Sequence, residues 1–205
     1  IRELVRAASV PVSCDTYKGI VAARAIETGA RIINDIWGFR HDPLIVETVR
    51  RSEAGAVVMH MAGTPETMQV SPSYRDPVAE ISGFLAERTA ALEAAGIPGE
   101  RIVVDPGIGF GKRVRDNVEI LRRLAEFQAI GRPLLVGISR KSFLGKIAGD
   151  APPEERLEGS LAAAVCALLN GAAIFRVHDV PETRRALDTA WTIMMKSSAK
   201  CRVQS

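Results

Sequence analysis

Asp105-Pro106-Gly107-Ile108-Gly109-Phe110-Gly111-Lys112 and Gly137-Ile138-Ser139-Arg140-Lys141-Ser142 are the two segments that decide the fold. Each follows a short apolar run that is typical of a β-strand, and each precedes a helical pattern. Glycines and polar residues therefore lie where a strand ends and the chain turns towards a helix. In parallel α/β folds, this edge of the sheet is where ligands bind.

The strand–helix unit to which these segments belong occurs six times along the chain. The predicted strands cover residues 10–14, 31–35, 56–60, 101–104, 133–136 and 173–177. The predicted helices cover residues 18–28, 43–52, 76–95, 116–127, 142–148 with 154–170, and 181–195. Strict alternation with short connections predicts an α/β fold with a parallel sheet. An open doubly wound sheet accepts six strands, whereas a (β/α)8 barrel requires eight.

The composition is that of one globular domain. The chain has 205 residues, of which 47% are hydrophobic and 25% are charged, and no linker-like segment divides it. The net charge is +3 with the basic residues scattered, which argues against a nucleic-acid binder and is compatible with an anionic small substrate. No apolar run approaches the roughly 20 residues of a membrane span, and no signal-peptide pattern is present at the start.

Three cysteines, Cys14, Cys166 and Cys201, lie far apart in the sequence. Because their number is odd and no CxxC pair occurs, neither a disulfide framework nor a zinc site is indicated. A reducing compartment, the cytoplasm, is therefore expected.

Polar or charged residues follow all six predicted strands. They are Asp15-Thr16, Asn34-Asp35, His60, Asp105, Ser139-Arg140-Lys141 and Arg176-Val177-His178-Asp179. A single Asp at such a place is more often a helix cap than a ligand, but in a barrel six such ends would converge on one mouth. The mixture of acceptors and cationic donors fits a heterocycle with a donor edge that carries a negatively charged group.

The sequence lacks the motifs that several other mechanisms require. No GxSxG nucleophile elbow and no His/Cys cluster occurs. The glycine run is not a P-loop, because Pro106 stands where the first Gly is required and Arg113 follows Lys112 in place of Ser or Thr. The glycines alternate, so the run is not GxGxxG either.

The remaining conspicuous side chains have structural interpretations. Packing at a strand end, in the core or at an interface is predicted for His60, Trp37 and Trp191. Exposure to solvent is predicted for His41, Lys112 and Arg113, and a loop cation near a phosphate site is the alternative for Lys112 and Arg113. Asp179 is predicted to cap the last helix. Phe110, between two glycines, is either a packing anchor or a ring that contacts a ligand, and the sequence leaves both open.

Taken together, these segments resemble the dihydropteroate synthase family. The matching segments are Ser13-Cys14-Asp15-Thr16, Ile33-Asn34-Asp35, residues 59–65 with Met68-Gln69, residues 105–112, residues 137–142 and residues 176–179. The resemblance runs from about Val10 to the last helix. It implies a TIM (β/α)8 barrel of which this chain holds six units, strands 3–8, so that residues 1–205 would be a single, N-terminally incomplete pterin-binding domain.

The resemblance also implies an activity. Such enzymes join 6-hydroxymethyl-7,8-dihydropterin diphosphate to p-aminobenzoate and form 7,8-dihydropteroate and diphosphate for folate synthesis, and sulfonamides compete with p-aminobenzoate. Mg²⁺ accompanies the diphosphate, and the family's Asn ligand for it belongs to strands that this chain lacks, so no metal ligand is expected here. A homodimer formed through the last helices is also implied.

Ten substrate-binding residues are carried over from the resemblance. They are Asp15, Asn34, Met59, Asp105, Phe110, Gly137, Lys141, Ser142, Arg176 and His178. The first four would hold the pterin, and Phe110 and Ser142 would line the p-aminobenzoate pocket. Three would be catalytic: Lys141 would border both substrates, Arg176 would stack on the pterin plane, and His178 would hold the diphosphate.

Two other functions stay open. A related pterin-binding barrel, such as the methyltetrahydrofolate-binding domain of a methyltransferase, would share the pterin residues but needs no aromatic-amine site. The Ser139-Arg140-Lys141-Ser142 segment favours the synthase. A catalytically incomplete pterin-binding fragment is the other alternative.

Overall fold

A computed structural model describes residues 1–64, 66–68, 70 and 72–194. The strands in these residues are β1 Ser13–Asp15, β2 Ile32–Asp35, β3 Gly55–Met59, β4 Ile102–Asp105, β5 Leu135–Val136 and β6 Ile174–Phe175. The α-helices are α1 Arg2–Ala7, α2 Gly19–Glu27, α3 Pro43–Arg50, α4 Pro77–Ala94, α5 Val114–Arg122, α6 Ser142–Ile147, α7 Leu157–Leu169 and α8 Val180–Met194.

All strand pairs are parallel, and the strands lie side by side in chain order. β1 to β4 form one ladder, and β5 pairs with β6. A single parallel bridge between Val104 and Leu134 joins the two groups, with the Val104 N–H donating to the Pro133 carbonyl at 3.0 Å. The predicted α/β fold with a parallel sheet is therefore confirmed.

Prolines shorten two of the predicted strands. The first was expected from residue 10 but begins at Ser13, and the fifth was expected from residue 133 but begins at Leu135. Pro11 and Pro133 have no N–H to donate to a ladder, so regular pairing starts only after them.

Aspartate–proline pairs fix the starts of two helices. Asp42 accepts from the Leu44 N–H at 3.0 Å, and Asp76 accepts from the Val78 N–H at 3.0 Å. In each helix a proline occupies the first turn, where its missing N–H costs nothing. The predicted helix over 116–127 is instead α5 followed by a 3-10 segment, Leu124–Ile130. The predicted end of the last helix, Met195, and the third cysteine, Cys201, lie outside the described residues. Within the described residues, Cys14 and Cys166 are free thiols.

The core lies between the sheet and the helices that cover it. Ile33, Val58 and Val104 from the strands are fully buried with Ile45 of α3 and Leu85 of α4. Trp191 on α8 is half exposed, so it is not a core residue. In the part of the chain that the structure describes, no helix is long and apolar enough to cross a membrane.

The sheet is strongly curved. Six flat strands would separate the first from the last by about 24 Å at the usual spacing. A carboxylate oxygen of Asp15, on β1, nevertheless lies 3.8 Å from a guanidinium nitrogen of Arg176, directly after β6. Curvature therefore brings the carboxyl ends of the first and last described strands to one mouth.

Candidate functional site

A cavity of about 220 Å³ opens at the carboxyl ends of β4, β5 and β6. Its lining comes from the loops that follow these three strands: Asp105, Gly107, Ile108, Phe110, Gly137, Ser139, Lys141, Arg176, Val177 and His178. Of the ten residues predicted from the sequence, the cavity brings together six: Asp105, Phe110, Gly137, Lys141, Arg176 and His178.

Asp105 is the buried acid of this cavity. Its side chain lies at the end of β4 and accepts a hydrogen bond from the Gly107 N–H at 2.7 Å. Burial raises the pKa of Asp105, while that hydrogen bond and the positive charges of Arg176 and Lys141 act in the opposite direction. A buried carboxyl group faced by two cations can accept hydrogen bonds from a donor edge of a ligand.

Lys141 and Phe110 form a second wall of the cavity. The Lys141 ammonium lies 4.2 Å from the centre of the Phe110 ring, a cation–π contact. Burial lowers the pKa of Lys141, and Arg176 adds to this, while Asp105 raises it. Of the two interpretations left open for Phe110, the structure places the ring at the cavity.

Ser139 holds His178 in place. The Ser139 hydroxyl is buried, accepts the His178 backbone N–H at 3.2 Å and lies 3.0 Å from the ring Nδ1 of His178. No role was predicted for Ser139 beyond membership of its segment. Its place in the polar loop that follows β5 was the signal for it.

Asp179 was predicted to cap the last helix, but its carboxylate does not do so. It lies directly before α8, but its two carboxylate oxygens accept hydrogen bonds from the Arg140 guanidinium. The backbone of Arg140 is left-handed, with φ 57°. Ser160 and Arg156 hold the Arg140 N–H and carbonyl, each at 2.9 Å. The loops after β5 and β6 are thereby tied together.

The other four predicted residues do not line the cavity. Met59 is fully buried and pairs in register with Asp105. Asp15 is 58% exposed and reaches the cavity only through its contact with Arg176. Ser142 is exposed at the start of α6. Pro65 and Gln69 of the predicted motif lie outside the described residues.

Asn34, the fourth, carries an unsatisfied amide. It is fully buried, and neither its Nδ2 nor its Oδ1 has a hydrogen-bond partner among the described residues. Leaving buried polar atoms unpaired costs about 1–3 kcal/mol. Its neighbour Asp35 is satisfied by the backbone N–H groups of Trp37 and Phe39, at 2.8 and 2.9 Å. An unpaired amide beside a satisfied acid is typical of a position that a polar ligand completes.

Lys112 is buried, and the prediction that it faces solvent is wrong. The residue is only 5% exposed, because the tight glycine turn presents carbonyl groups that its ammonium can bind. It donates to the Gly107 and Phe110 carbonyls at 2.9 and 3.0 Å and lies 3.0 Å from His60 Nδ1. Burial lowers the pKa of Lys112 to about 7. Arg113, also predicted to face solvent, is partly buried and pairs with Asp116 at 2.7 Å.

His60 packs at its strand end, as predicted. Its ring meets Phe84 at 5.0 Å between centres. Burial, and next the charge of Lys112, lower the pKa of His60 to about 3. His41 is exposed as predicted, although its ring packs against Trp37 at 5.0 Å.

A family model described as pterin binding enzyme matches residues 1–178. The chain belongs to the pterin-binding enzyme family. Among relatives of this family member, the dihydropteroate synthase of Escherichia coli (strain K12) is 46% identical over 176 residues, which are 86% of this chain and 62% of the relative. The chain thus spans less than two thirds of that relative's length.

Solved structures are similar to this pterin-binding family member over most of its length. The crystal structure of Burkholderia cenocepacia dihydropteroate synthase complexed with 7,8-dihydropteroate is 48% identical, with a TM-score of 0.86 over 94% of this chain and 71% of that one. That of the Yersinia pestis dihydropteroate synthase with a sulfonamide drug complex is 38% identical, with a TM-score of 0.90 over 94% and 69%.

Proposed function

We propose that this chain carries the pterin-binding site of a dihydropteroate synthase. That activity condenses 6-hydroxymethyl-7,8-dihydropterin diphosphate with p-aminobenzoate and releases diphosphate. The observation that carries the proposal is the cavity in which buried Asp105 faces Lys141 and Arg176 beside the Phe110 ring. The similar Burkholderia structure, which holds 7,8-dihydropteroate, supports the same choice.

The proposed pterin pocket uses the buried polar groups. Asp105 accepts from the amino and ring N–H edge of the pterin, and the unpaired amide of Asn34 completes its hydrogen bonds on the same ligand. Met59 packs beside the ring, Gly137 leaves room for it, and Asp15 contributes through Arg176. Arg176 stacks on the pterin plane, since a guanidinium is planar and weakly hydrated.

The proposed reaction is a substitution at the pterin methylene carbon. The carbon–oxygen bond to diphosphate breaks and its electron pair leaves with the diphosphate, after which the amine of p-aminobenzoate forms the carbon–nitrogen bond and loses a proton. His178, held by Ser139, and Arg176 stabilise the leaving charge. Lys141 lies between the two substrates, and Phe110 and Ser142 border the amine. Preorganised charge is the main contribution of the protein.

Mg²⁺ is part of the proposal only as a companion of the diphosphate. Among the residues that the structure describes, no three His, Cys, Asp or Glu side chains come together as a metal site. Mg²⁺ commonly takes most of its ligands from substrate phosphates and water. We therefore propose that it accompanies the diphosphate, and the proposed reaction includes no bond between the protein and the metal.

We propose further that the six strands are strands 3–8 of a (β/α)8 barrel. Within the described residues, β1 and β6 each pair on one side only, while the sheet curves enough for Asp15 to meet Arg176. An unpaired sheet edge is a liability that two more strands would remove. We also propose that the protein is cytoplasmic and forms a homodimer. Exposed Trp191 and Ile193 on α8 offer apolar surface for the dimer.

The experiment is an assay of diphosphate release with both substrates present. The proposal expects release that depends on p-aminobenzoate and is inhibited by a sulfonamide in competition with it. Binding of methyltetrahydrofolate with no dependence on p-aminobenzoate would instead favour the methyltransferase-type barrel. Pterin diphosphate binding without release would favour a catalytically incomplete pterin-binding fragment.

A further inference from the structure

The loop of residues 105–112 is closed by the side chain of its own last residue. The Lys112 ammonium has three N–H donors, and three acceptors lie within 3.0 Å of it: the Gly107 and Phe110 carbonyls and His60 Nδ1. The His60 carbonyl is a more distant fourth contact at 3.5 Å. A charged ammonium satisfies all three acceptors only if His60 carries its proton on Nε2. Two of these acceptors belong to the loop itself, and the third lies on the loop after β3.

The loop after β4 packs closely against the loop after β3. Gly107 has φ +66°, and a Cβ at that position would lie 1.9 Å from the His60 carbonyl oxygen. At Gly111 a Cβ would lie 2.7 Å from the Ala62 Cβ. The loop after β4 therefore rests directly on the loop after β3, and Lys112 is the charged group between them.

This closure bears on the cavity through Phe110. The Phe110 carbonyl binds Lys112, while its ring lies under the Lys141 ammonium at the cavity wall. Gly107, the other carbonyl partner, donates its N–H to the Asp105 carboxylate at 2.7 Å. One buried ammonium thus binds the backbone of Gly107, which contacts Asp105, and the backbone of Phe110, whose ring faces the cavity.

We propose that Lys112 is a positioning residue, whose ammonium locks the 105–112 loop onto His60 and so holds Phe110 and Asp105 at the cavity. The charges that face Lys112 are Asp105, Lys141 and Asp116, and Arg40 lies near His60. Asp105 and Asp116 favour the charged form of the amine, which offsets part of its burial. The kinetic part of this inference, though not its structural part, rests on the proposed function.

Hydrogen exchange on the whole chain at pH 6 tests the lock without any activity. The amides of Gly107, Gly109 and Phe110 are hydrogen-bonded within or near the loop and report its opening. Lys112→Met removes the ammonium at almost equal length. The matched control is Lys146→Met, since Lys146 is 64% exposed and forms a surface ion pair with Asp150.

Lys112→Met is expected to speed exchange over residues 105–112 tenfold or more and to leave α7 as protected as in Lys146→Met. Equal exchange of the loop in the two variants would overturn the inference. Uniform acceleration that includes α7 would also overturn it, because it would show a general loss of stability rather than a local lock.

A second pair of variants applies if Lys112→Met does not fold. His60→Leu removes the acceptor, whereas His60→Asn keeps an oxygen close to the place of Nδ1. The leucine variant should open the same loop and the asparagine variant should not, so equal loop exchange in both would refute the lock.

In the diphosphate-release assay, Lys112→Met should raise the KM for p-aminobenzoate severalfold more than the KM for the pterin, because Phe110 depends on the lock directly. A KM for p-aminobenzoate equal to that of the unsubstituted chain would contradict this positioning role. If the unsubstituted chain releases no diphosphate, the catalytic part of the proposed function fails, while the exchange comparison still decides whether Lys112 locks the loop.

Discussion

Arg140 and Asp179 join the loops after β5 and β6 through two hydrogen bonds from one guanidinium to one carboxylate. The sequence neighbours of this pair, Lys141 and His178, both line the cavity. A planar, two-point contact fixes orientation as well as distance. The pair therefore sets how the cations contributed by two different strands lie relative to each other.

Breaking this pair should impair catalysis more than stability. In Asp179→Asn we expect kcat/KM to fall about tenfold, because small displacements of reacting groups are costly. The melting temperature should change little, since ion pairs near the surface contribute little to stability. The matched control is Asp188→Asn, which breaks the Arg184–Asp188 pair on α8, away from the cavity. Equal kcat/KM values for the two variants would contradict the claim that the Arg140–Asp179 pair positions the cations of the cavity.

The Asn34 amide is expected to lower the stability of the free protein and to strengthen pterin binding. Replacing its unsatisfied amide by the similar volume of leucine, in Asn34→Leu, is expected to raise the free energy of unfolding by about 1 kcal/mol. Pterin affinity should be lost at the same time. Chemical denaturation and calorimetric titration measure the two effects.

Asn117 supplies the control for this prediction. It is equally buried, but its amide accepts from the Gly109 N–H at 2.7 Å and donates to the Lys112 and Arg113 carbonyls at 3.2 and 3.0 Å. Asn117→Leu should therefore destabilise the protein. A loss of stability of the same size in Asn34→Leu would show that the Asn34 amide is satisfied after all.

His60 should make the protein sensitive to acid. Its pKa is about 3 in the folded protein, below its ordinary value of 6.5. The unfolded chain therefore binds more protons between these values, so stability present above about pH 6.5 is lost as the pH falls towards 3. His60→Asn removes this titration. The difference in unfolding free energy between the two proteins, followed against pH by denaturation, should shrink across this range. A constant difference would contradict the buried neutral imidazole.

The alternation of strands and helices was predictable because its causes are local. Hydrophobic periodicity marks each element, and Pro43 and Pro77 mark the first turns of their helices. The convergence of Asp105, Lys141 and Arg176 followed from one topological rule, that parallel strands end on the same edge. The shortening of strands at Pro11 and Pro133 follows from the same kind of local chemistry.

The environment of Lys112 was not predictable, because it depends on contacts that are distant in sequence. A lysine after a glycine turn is ordinarily solvated. Its burial requires carbonyl groups that converge only once the turn is formed, and a histidine 52 residues away. Asn34 and Asp35 show the same limit, since adjacent strand residues point to opposite faces and only the fold decides which one remains unpaired.

The most direct test of the pterin site is the affinity of this chain for 6-hydroxymethyl-7,8-dihydropterin diphosphate with and without the Asp105 carboxylate. Calorimetric titration should show binding to the unsubstituted chain. In Asp105→Asn it should be about ten- to a hundredfold weaker, as expected when a charge-assisted hydrogen bond of roughly 1.5–3 kcal/mol is lost. Asp150→Asn, which changes an exposed carboxylate, should bind as the unsubstituted chain does. The same dissociation constant for Asp105→Asn and the unsubstituted chain would contradict the assignment of this cavity to the pterin.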